Sequence, residues 1–507
     1  MPSRRAVVTA SAALLSMPLI GRFQPIRAAT GAAPFGLGIA SGDPTTDSII
    51  LWTRLTSLPP AGEGGEGPVE VEWTLAEDPA LTRQVRRGTA FAWPDRAHAV
   101  HVDVGGLSPD RWYWYRFRAG GEESPLGRTR TLPAPGEMPA EARFAVVSCQ
   151  HWENGYFNAY RGLGDDERTA LVLHLGDYVY EVGRGGVRQH DRPGRPRSLA
   201  EWRARYALYK TDPDLQAAHA AFPFLCVPDN HDAAEDDDES PAGLTARAAA
   251  YQAWYEHMPV RAPYQPGSPT LPLARALDFG RLAHLTILDT RQFRDPQEVC
   301  RAGGADPDFA FGIYQRPCPA QEEEGRSMLG RPQEAWLRGR LGGGVWNTIA
   351  STIPFGPFDI WRGPDRYRYA YSWDGYPAER ERVLRALADS GATNPIILSG
   401  DVHSNWVKSV RAPGRPDAPV VATEFVGTSI SSVWPEPLDR PFRESMGRNP
   451  DVSFYDSSRR GYLLCTLTPD LWTTDLMTAD TTADPKGTVR RDRSFVVEAG
   501  RPEARPA

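Results

Sequence analysis

The stretch that decides the fold reads Ala170-Leu171-Val172-Leu173-His174-Leu175-Gly176-Asp177-Tyr178-Val179-Tyr180-Glu181. A continuous apolar run of this length is typical of a strand that is buried on both faces of an α/β sheet. The Gly176-Asp177 turn follows at once, so polar side chains come at the carboxyl end of the strand, where open α/β sheets bind their ligands. The stretch therefore predicts an α/β fold, and the residues after this strand and its neighbours are the ones to inspect for a functional site.

The same pattern occurs four more times along the chain. Further apolar runs cover residues 144–148, 224–227, 282–288 and 395–399. The polar residues that follow them are Cys149-Gln150-His151, Asp229-Asn230-His231-Asp232, Asp289-Thr290-Arg291 and Gly400-Asp401-Val402-His403. One strand-end Asp is commonly a helix cap, and a single Gly-Asp turn is common anywhere. Five strand ends in succession with oxygen, nitrogen or sulfur donors instead indicate one shared site.

A dinuclear metal centre accounts for this set of donors. Carboxylate, amide and imidazole groups suit hard or borderline cations, whereas a thiolate together with a phenolate favours a highly charged iron ion. An Asp can bridge two ions, which places them close enough to hold the attacking and leaving oxygens of a phosphoryl transfer. Bound cations would also reverse the local field of a chain whose formal net charge is −7.

Two domains are expected in a chain of 507 residues. Residues 35–131 contain short runs of β-forming residues with period-two alternation and Gly, Pro and Asp breaks, which predicts a β-sandwich. Within it, residues 104–115 resemble the fibronectin type III pattern. Residues 132–140 contain four prolines or glycines and read as a stiff linker, so the α/β catalytic domain is predicted over residues 141–507.

The N-terminus predicts export. Residues 1–29 contain the pair Arg4-Arg5, an apolar run from Ala6 to Ile20, small residues at the end and no acidic residue. This signal-peptide layout resembles a twin-arginine signal, the alternative being an ordinary signal with two chance arginines. We expect passage through the twin-arginine export machinery, cleavage, and a secreted or periplasmic protein. No later stretch has transmembrane length, and the acidic charge balance carries no nucleic-acid-binding footprint.

At this point the residues resemble a known family. Gly176-Asp177, Asn230-His231-Asp232 and Gly400-Asp401-Val402-His403 look like variants of the three calcineurin-like metallophosphoesterase motifs. The detailed forms resemble PhoD-type alkaline phosphatases. The further segments that carry this resemblance are Phe35 to Pro44, Leu51 to Arg54, Ser148-Cys149-Gln150, Leu288 to Arg294, and Gly427-Thr428-Ser429-Ile430.

The resemblance implies an architecture and a set of site residues. The fold would be a four-layer αββα metallophosphoesterase domain preceded by a small fibronectin III/Ig-like β-sandwich. The implied ligands of Fe(3+) are Cys149, Asp177, Tyr180 and His403. The implied ligands of Ca(2+) are the bridging Asp177 with Asn230 and Asp401. His231 would donate a proton or hydrogen bond at the leaving oxygen, and Arg291 would bind phosphate.

The resulting functional hypothesis is a monomeric, exported, metal-dependent phosphatase. It would hydrolyse phosphate monoesters and diesters by attack of a metal-bound hydroxide. Two alternatives stay open at this point. One is a phosphodiesterase or phospholipase D-like enzyme acting on lipid or nucleic-acid-derived diesters, and the other is a secreted binding protein without catalytic activity.

The five cysteines divide by their surroundings. Cys149 is a candidate ligand, the alternative being a buried thiol. Cys226 and Cys465 lie in apolar runs and are predicted to be buried thiols. Cys300 and Cys318 lie in a Gly/Pro-rich insertion of an exported chain, which favours a disulfide over metal ligation.

Overall fold

The computed structural model describes residues 34–56, 67–164, 166–183, 185–233, 240–297, 300, 314–415 and 417–507. The strands of the N-terminal part are β1 Ile39–Gly42, β2 Ile49–Arg54, β3 Val69–Ala76, β4 Arg86–Ala92, β5 Ala99–Val104, β6 Trp112–Ala119, β7 Glu122–Glu123 and β8 Gly127–Arg130. The predicted signal segment, residues 1–29, lies outside the described residues.

The larger part of the chain follows. Its strands are β9 Ala142–Val147, β10 Leu171–Leu175, β11 Pro223–Val227, β12 Arg275–Phe279, β13 Ala283–Ile287, β14 Tyr314–Gln315, β15 Trp346–Ala350, β16 Asp359–Arg362, β17 Asp365–Tyr369, β18 Pro395–Ser399, β19 Asn405–Arg411, β20 Val420–Val426, β21 Val452–Asp456, β22 Arg460–Leu467, β23 Leu471–Ala479, β24 Val489–Glu498 and β25 Arg505–Pro506. Its helices are α1 Arg161–Gly164, α2 Leu199–Lys210, α3 Pro213–Ala221, α4 Pro241–His257, α5 Gly330–Arg338, α6 Pro377–Asp389 and α7 Glu436–Ser445.

Two large sheets face each other in the catalytic part. The ten-stranded sheet has the order β25-β24-β23-β22-β9-β10-β11-β1-β2-β5, and the seven-stranded sheet has the order β12-β13-β15-β18-β20-β19-β21. Phe144, Leu173 and Leu225 of the first sheet pack against Leu285 and Leu398 of the second. The alternate residues of the central strands point outward under helices, which is why these strands are apolar throughout.

Helices cover the outer face of each sheet. Helices α2, α3 and α4 pack on the ten-stranded sheet through buried residues such as Trp202, Leu215 and Trp254. Helices α5 and α6 cover the other sheet through Leu337 and Val383. The four-layer αββα arrangement that the resemblance implied is therefore confirmed. Strands β15 and β20, which the apolar-run criterion did not predict, complete the parallel part of the second sheet.

The N-terminal part is a two-sheet structure that shares one of its sheets with the catalytic part. Strands β3, β4, β6, β7 and β8 form a separate sheet, whereas β1, β2 and β5 continue the ten-stranded sheet. Strand β1 pairs in parallel with β11, with Gly42 opposite Phe224. Apolar residues from both sheets, among them Leu51, Val71 and Tyr115, form the core between them. The N-terminal β-rich domain is thus present as predicted, but it extends a catalytic sheet.

The segment predicted as a linker is held on both sides. The Leu132 N–H donates to the Thr45 carbonyl oxygen at 2.9 Å, and the Leu132 side chain is part of the core between the two large sheets. The Glu137 carbonyl oxygen accepts from the Arg281 N–H at 2.7 Å.

Among the described residues, no helix combines the length and the apolar character needed to cross a bilayer.

The close approach of β1 to the catalytic part gives a test of the shared sheet. A Cβ atom at Gly42 would overlap two main-chain oxygens, that of Phe224 in the paired strand β11 and that of Pro259 in the loop after α4. Gly42→Ala should therefore lower the free energy of unfolding by about 1–3 kcal/mol, measured by urea denaturation. Gly105→Ala, which adds a Cβ in open space in the same domain, should stay within about 0.5 kcal/mol of wild type. Equal stability of the two variants would contradict this β1–β11 pairing.

Candidate metal centre

The polar loops meet at one edge of the two facing sheets. Strands β9, β10 and β11 run parallel in one sheet, and β13, β15, β18 and β20 run parallel in the other. Because the carboxyl ends of parallel strands share an edge, the residues that follow them come together. The structure thereby gathers all eight predicted catalytic and metal-binding residues in one region.

Four side chains form the first cluster. One ligand atom each from Cys149, Asp177 and His403 lie within 4.8 Å of one another. The Tyr180 hydroxyl oxygen is 2.9 Å from Asp177 Oδ2 and 2.8 Å from His403 Nε2. A thiol, a carboxylate, a phenol and an imidazole therefore face one point, as a metal site requires.

This cluster has more hydrogen-bond acceptors than protons to donate to them. His403 Nδ1 is 3.2 Å from the Val433 carbonyl oxygen. Since a carbonyl oxygen only accepts, Nδ1 carries the proton and Nε2 presents its lone pair to the cluster. The single Tyr180 hydroxyl proton cannot then satisfy both Asp177 and His403 Nε2. A cation would satisfy these converging lone pairs, so the residues present fit a metal ion.

The backbone at the centre is held in uncommon conformations. Cys149, Asp177, Asp401 and His403 all have positive φ, at 58°, 54°, 72° and 45°. Non-glycine residues adopt this left-handed region at a cost, and such residues cluster at functional sites. Gly176 precedes Asp177 with φ 87°, and a Cβ there would overlap the Asp229 side chain. The turns after β9, β10 and β18 thus direct the candidate ligands inward.

A second cluster lies on the other side of Asp177. Arg291 Nη2 is 3.2 Å from both Asn230 Oδ1 and Asp401 Oδ1. The same guanidinium donates to both oxygens of Asp229. Its Nε donates to Oδ1, and its Nη2 donates to Oδ2 at 2.9 Å. Tyr369 donates its hydroxyl to Asp401 Oδ2 at 2.9 Å. Two oxygens predicted to bind calcium are therefore close to one point. The phosphate-binding role of Arg291 stays a prediction, and in this structure its guanidinium anchors Asp229.

His231 is fixed beside both clusters. Its Nδ1 is 2.6 Å from Glu181 Oε2, and its backbone N–H donates to Asp177 Oδ1 at 3.3 Å. Burial lowers the pKa of His231, but the carboxylates of Glu181 and Asp177 outweigh it and raise the pKa to about 10. Burial raises the pKa of Glu181, but the His231 charge outweighs it and lowers that pKa to about 2. The pair is thus an imidazolium and a carboxylate at neutral pH.

Buried acids give the centre an excess of negative charge. Burial raises the pKa of Asp177 to about 6 and that of Asp401 to about 7. For both groups, the next largest raising effect is the charge of Asp229. Burial and then the Asp177 charge raise the pKa of the Cys149 thiol. Each shift has the same cause, which is anionic groups packed together away from water. A bound cation would reverse it.

Comparison with known proteins assigns the family. The family model for PhoD-like phosphatases matches residues 144–476. The chain belongs to the PhoD-like phosphatase family. A second family model, for the N-terminal domain of PhoD-like phosphatases, matches residues 22–133. The resemblance inferred from the strand-end motifs is confirmed, and the family comprises phosphoric ester hydrolases.

Two relatives extend this assignment over nearly the whole chain. The chain is 38% identical over 485 residues to alkaline phosphatase D of Bacillus subtilis (strain 168), covering 92% of this chain and 81% of that protein. A solved structure titled "Structure of PhoD" has 37% sequence identity and a TM-score of 0.84, covering 94% of this chain and 92% of that one.

Sequence reasoning missed several residues of this PhoD-like centre. Asp229 and Glu181 lie in the strand-end motifs, but nothing in the motifs distinguished their roles. Thr352 donates to Asp229 Oδ1 at 2.7 Å and follows strand β15, whose mixed composition hid it. Tyr369 ends strand β17 in a small separate sheet, far along the chain from Asp401. Only the three-dimensional fold brings that hydroxyl to the site.

The cysteines occupy three different environments. Cys300 and Cys318 are joined by a disulfide. Cys226 and Cys465 are buried free thiols in the two large cores. Cys149 is also a free thiol, and it alone of the three faces the PhoD-like centre.

The Arg291–Asp229 pair can be tested by a double-mutant cycle. Both side chains are buried, with 2% and 1% exposed, so Arg291→Met leaves an unpaired buried carboxylate. That variant should lose about 3–5 kcal/mol of unfolding free energy, and adding Asp229→Asn should restore part of it. Arg385→Met, which breaks the exposed Arg385–Glu381 pair, should cost less than about 0.5 kcal/mol. Strict additivity of the Arg291 and Asp229 substitutions would contradict the coupling.

Proposed function

We propose that this PhoD-like phosphatase is an exported, metal-dependent enzyme that hydrolyses phosphate monoesters and diesters. The observation that carries the proposal is the convergence of two different donor sets on Asp177. Its Oδ2 faces the Tyr180 hydroxyl, and its Oδ1 accepts from the backbone of His231, next to Asn230. The two carboxylate oxygens of Asp177 thus have different neighbours, and Asp177 would hold metal together with the donors on either side.

The donor types favour different ions on the two sides. Cys149, Tyr180 and His403 supply a thiolate, a phenolate and an imidazole, a combination suited to Fe(3+). Asn230 and Asp401 supply only oxygen donors, which suit Ca(2+). When bound, such a pair supplies an activated water and neutralises the charge of the phosphoryl oxygens.

The chain's own residues supply the remaining chemistry. His231, held at Nδ1 by Glu181, presents Nε2 as the proton donor to the departing alcohol. As the new oxygen–phosphorus bond forms, the ester bond to the alcohol breaks and the alcohol oxygen takes the His231 proton. Arg291 holds Asp229 beside Asn230 and Asp401, and its positive charge favours the anionic substrate.

Export is part of the proposal. It is supported by the Arg4-Arg5 pair and the apolar run to Ile20. The Cys300–Cys318 disulfide gives independent support, because such bonds persist in oxidising compartments outside the cytosol.

The function is tested by parallel assays on metal-analysed protein. Wild type should release nitrophenol from p-nitrophenyl phosphate and from bis-p-nitrophenyl phosphate, and a chelator should remove both activities. Asp177→Asn should lose metal and fall about a hundredfold or more in both assays. Asp278→Asn, a half-exposed Asp on β12, should keep both. Activity on the diester alone would identify a diesterase, and activity on neither would identify a binding protein.

The proton donor is tested by varying the leaving group. His231→Asn should lower kcat/KM for an alkyl phosphate about 10²–10⁴-fold, because a poor leaving group needs a proton. For p-nitrophenyl phosphate, whose leaving group departs as a stable anion, the loss should stay below about tenfold. Glu181→Gln should show the same contrast with a smaller loss. Equal losses for both substrates in His231→Asn would show that His231 is not the donor.

A further inference from the structure

Four aromatic rings lie in a row beside the candidate metal centre, with interplanar angles of 25° to 38° between neighbours. The ring centroids of His190 and His151 are 5.5 Å apart, those of His151 and Tyr180 are 4.4 Å apart, and those of Tyr180 and His231 are 4.3 Å apart. The Tyr180 ring is thus held between two imidazoles. One of them, His231, is the proposed proton donor, whereas His151 has no role in the chemistry described above.

His151 is held through one ring nitrogen and through its main chain. Its Nδ1 accepts from the Glu153 N–H at 3.1 Å, so that lone pair is occupied. The main-chain N–H donates to Ser432 Oγ at 3.1 Å, and the main-chain oxygen accepts from Ser431 Oγ at 2.8 Å. The His151 ring is therefore fixed in place beside Tyr180.

The main chain of Tyr180 is restrained separately from its ring. Its N–H donates to the Tyr209 hydroxyl at 3.1 Å, and its carbonyl oxygen accepts from Arg205 Nη1 at 2.6 Å. The Tyr209 hydroxyl is also 3.0 Å from His190 Nε2, at the far end of the stack. These contacts fix the Tyr180 backbone, and Asp177 and His403 hold the hydroxyl. The rings on either side limit the sideways movement of the Tyr180 ring between these two ends.

We propose that His151 is a positioning residue whose ring holds Tyr180 so that the phenol oxygen stays between Asp177 and His403. The inference rests on the proposed function, in which Tyr180 is an iron(III) ligand. His231, on the other face of the Tyr180 ring, also serves the leaving group, whereas the His151 ring serves only to confine Tyr180. The contribution of His151 is the ring face and not its hydrogen bonds.

Two substitutions separate the ring from the hydrogen bonds. His151→Phe keeps a ring of similar size and loses the hydrogen bonds, whereas His151→Gln keeps polar atoms at similar reach and loses the ring. The readouts are iron affinity, by metal analysis after dialysis against a competing chelator, and the visible phenolate-to-iron(III) charge-transfer band. His151→Phe should stay within about twofold of wild type, and His151→Gln should bind iron about 10- to 100-fold more weakly with a shifted or lost band.

The controls distinguish failure of the inference from failure of the proposed function. Thermal unfolding shows whether each variant folds, and His151→Leu, which also lacks the ring, replaces the Gln variant if that one does not. Iron-loaded wild type without a band would remove Tyr180 as a ligand and overturn the inference with it. The inference would be overturned if the band were unchanged in the variant without the ring. It would also be overturned if His151→Phe lost the band as fully as that variant does. In both cases the proposed function would stand.

Discussion

The burial of several acids at one point is the constraint on which the structure depends. Asp177, Asp229 and Asp401 are 2%, 1% and 7% exposed, and they share the space between the two sheets. Charges taken out of water need partners or a cation. Arg291 pairs with Asp229, and the backbone of His231 donates to Asp177. These contacts explain why an arginine from the second sheet lies against the loop of the first.

The fold meets this constraint by setting two parallel edges face to face. Asp177 and Asp229 follow strands of the ten-stranded sheet, whereas Arg291 and Asp401 follow strands of the seven-stranded sheet. Neither sheet alone holds a complete set of donors, so the core between the sheets determines the distance between the two halves of the site. Strand β1 adds to this, because it pairs with β11, the strand that leads directly into Asp229. The N-terminal domain thereby supports the catalytic loop from the side.

The sequence predicted the parts of the site that are local. A continuous apolar run followed by donors is a short-range signal, so the candidate ligands and His231 could be located from residues within a few positions of each strand. Other contacts join residues that are far apart in the sequence. Arg291 and Asp229 are 62 positions apart, and Tyr369 and Asp401 are 32 positions apart. The strands of the shared sheet, β1 and β11, are farther apart still. No local pattern encodes such pairings. The stack of His151 on Tyr180 belongs to the same class, because it forms only when the turns after β9 and β10 meet.

The electrostatics of the centre connect metal binding to substrate binding. The chain has a formal net charge of −7, and several of its carboxyls are buried together at the centre. A phosphate ester is repelled by such a site, although Arg291 and His231 each contribute a positive charge. Cations bound between the donor sets would reverse the sign of the local field. Metal occupancy and phosphate affinity would then be linked, because the buried acids that attract cations also repel an anion.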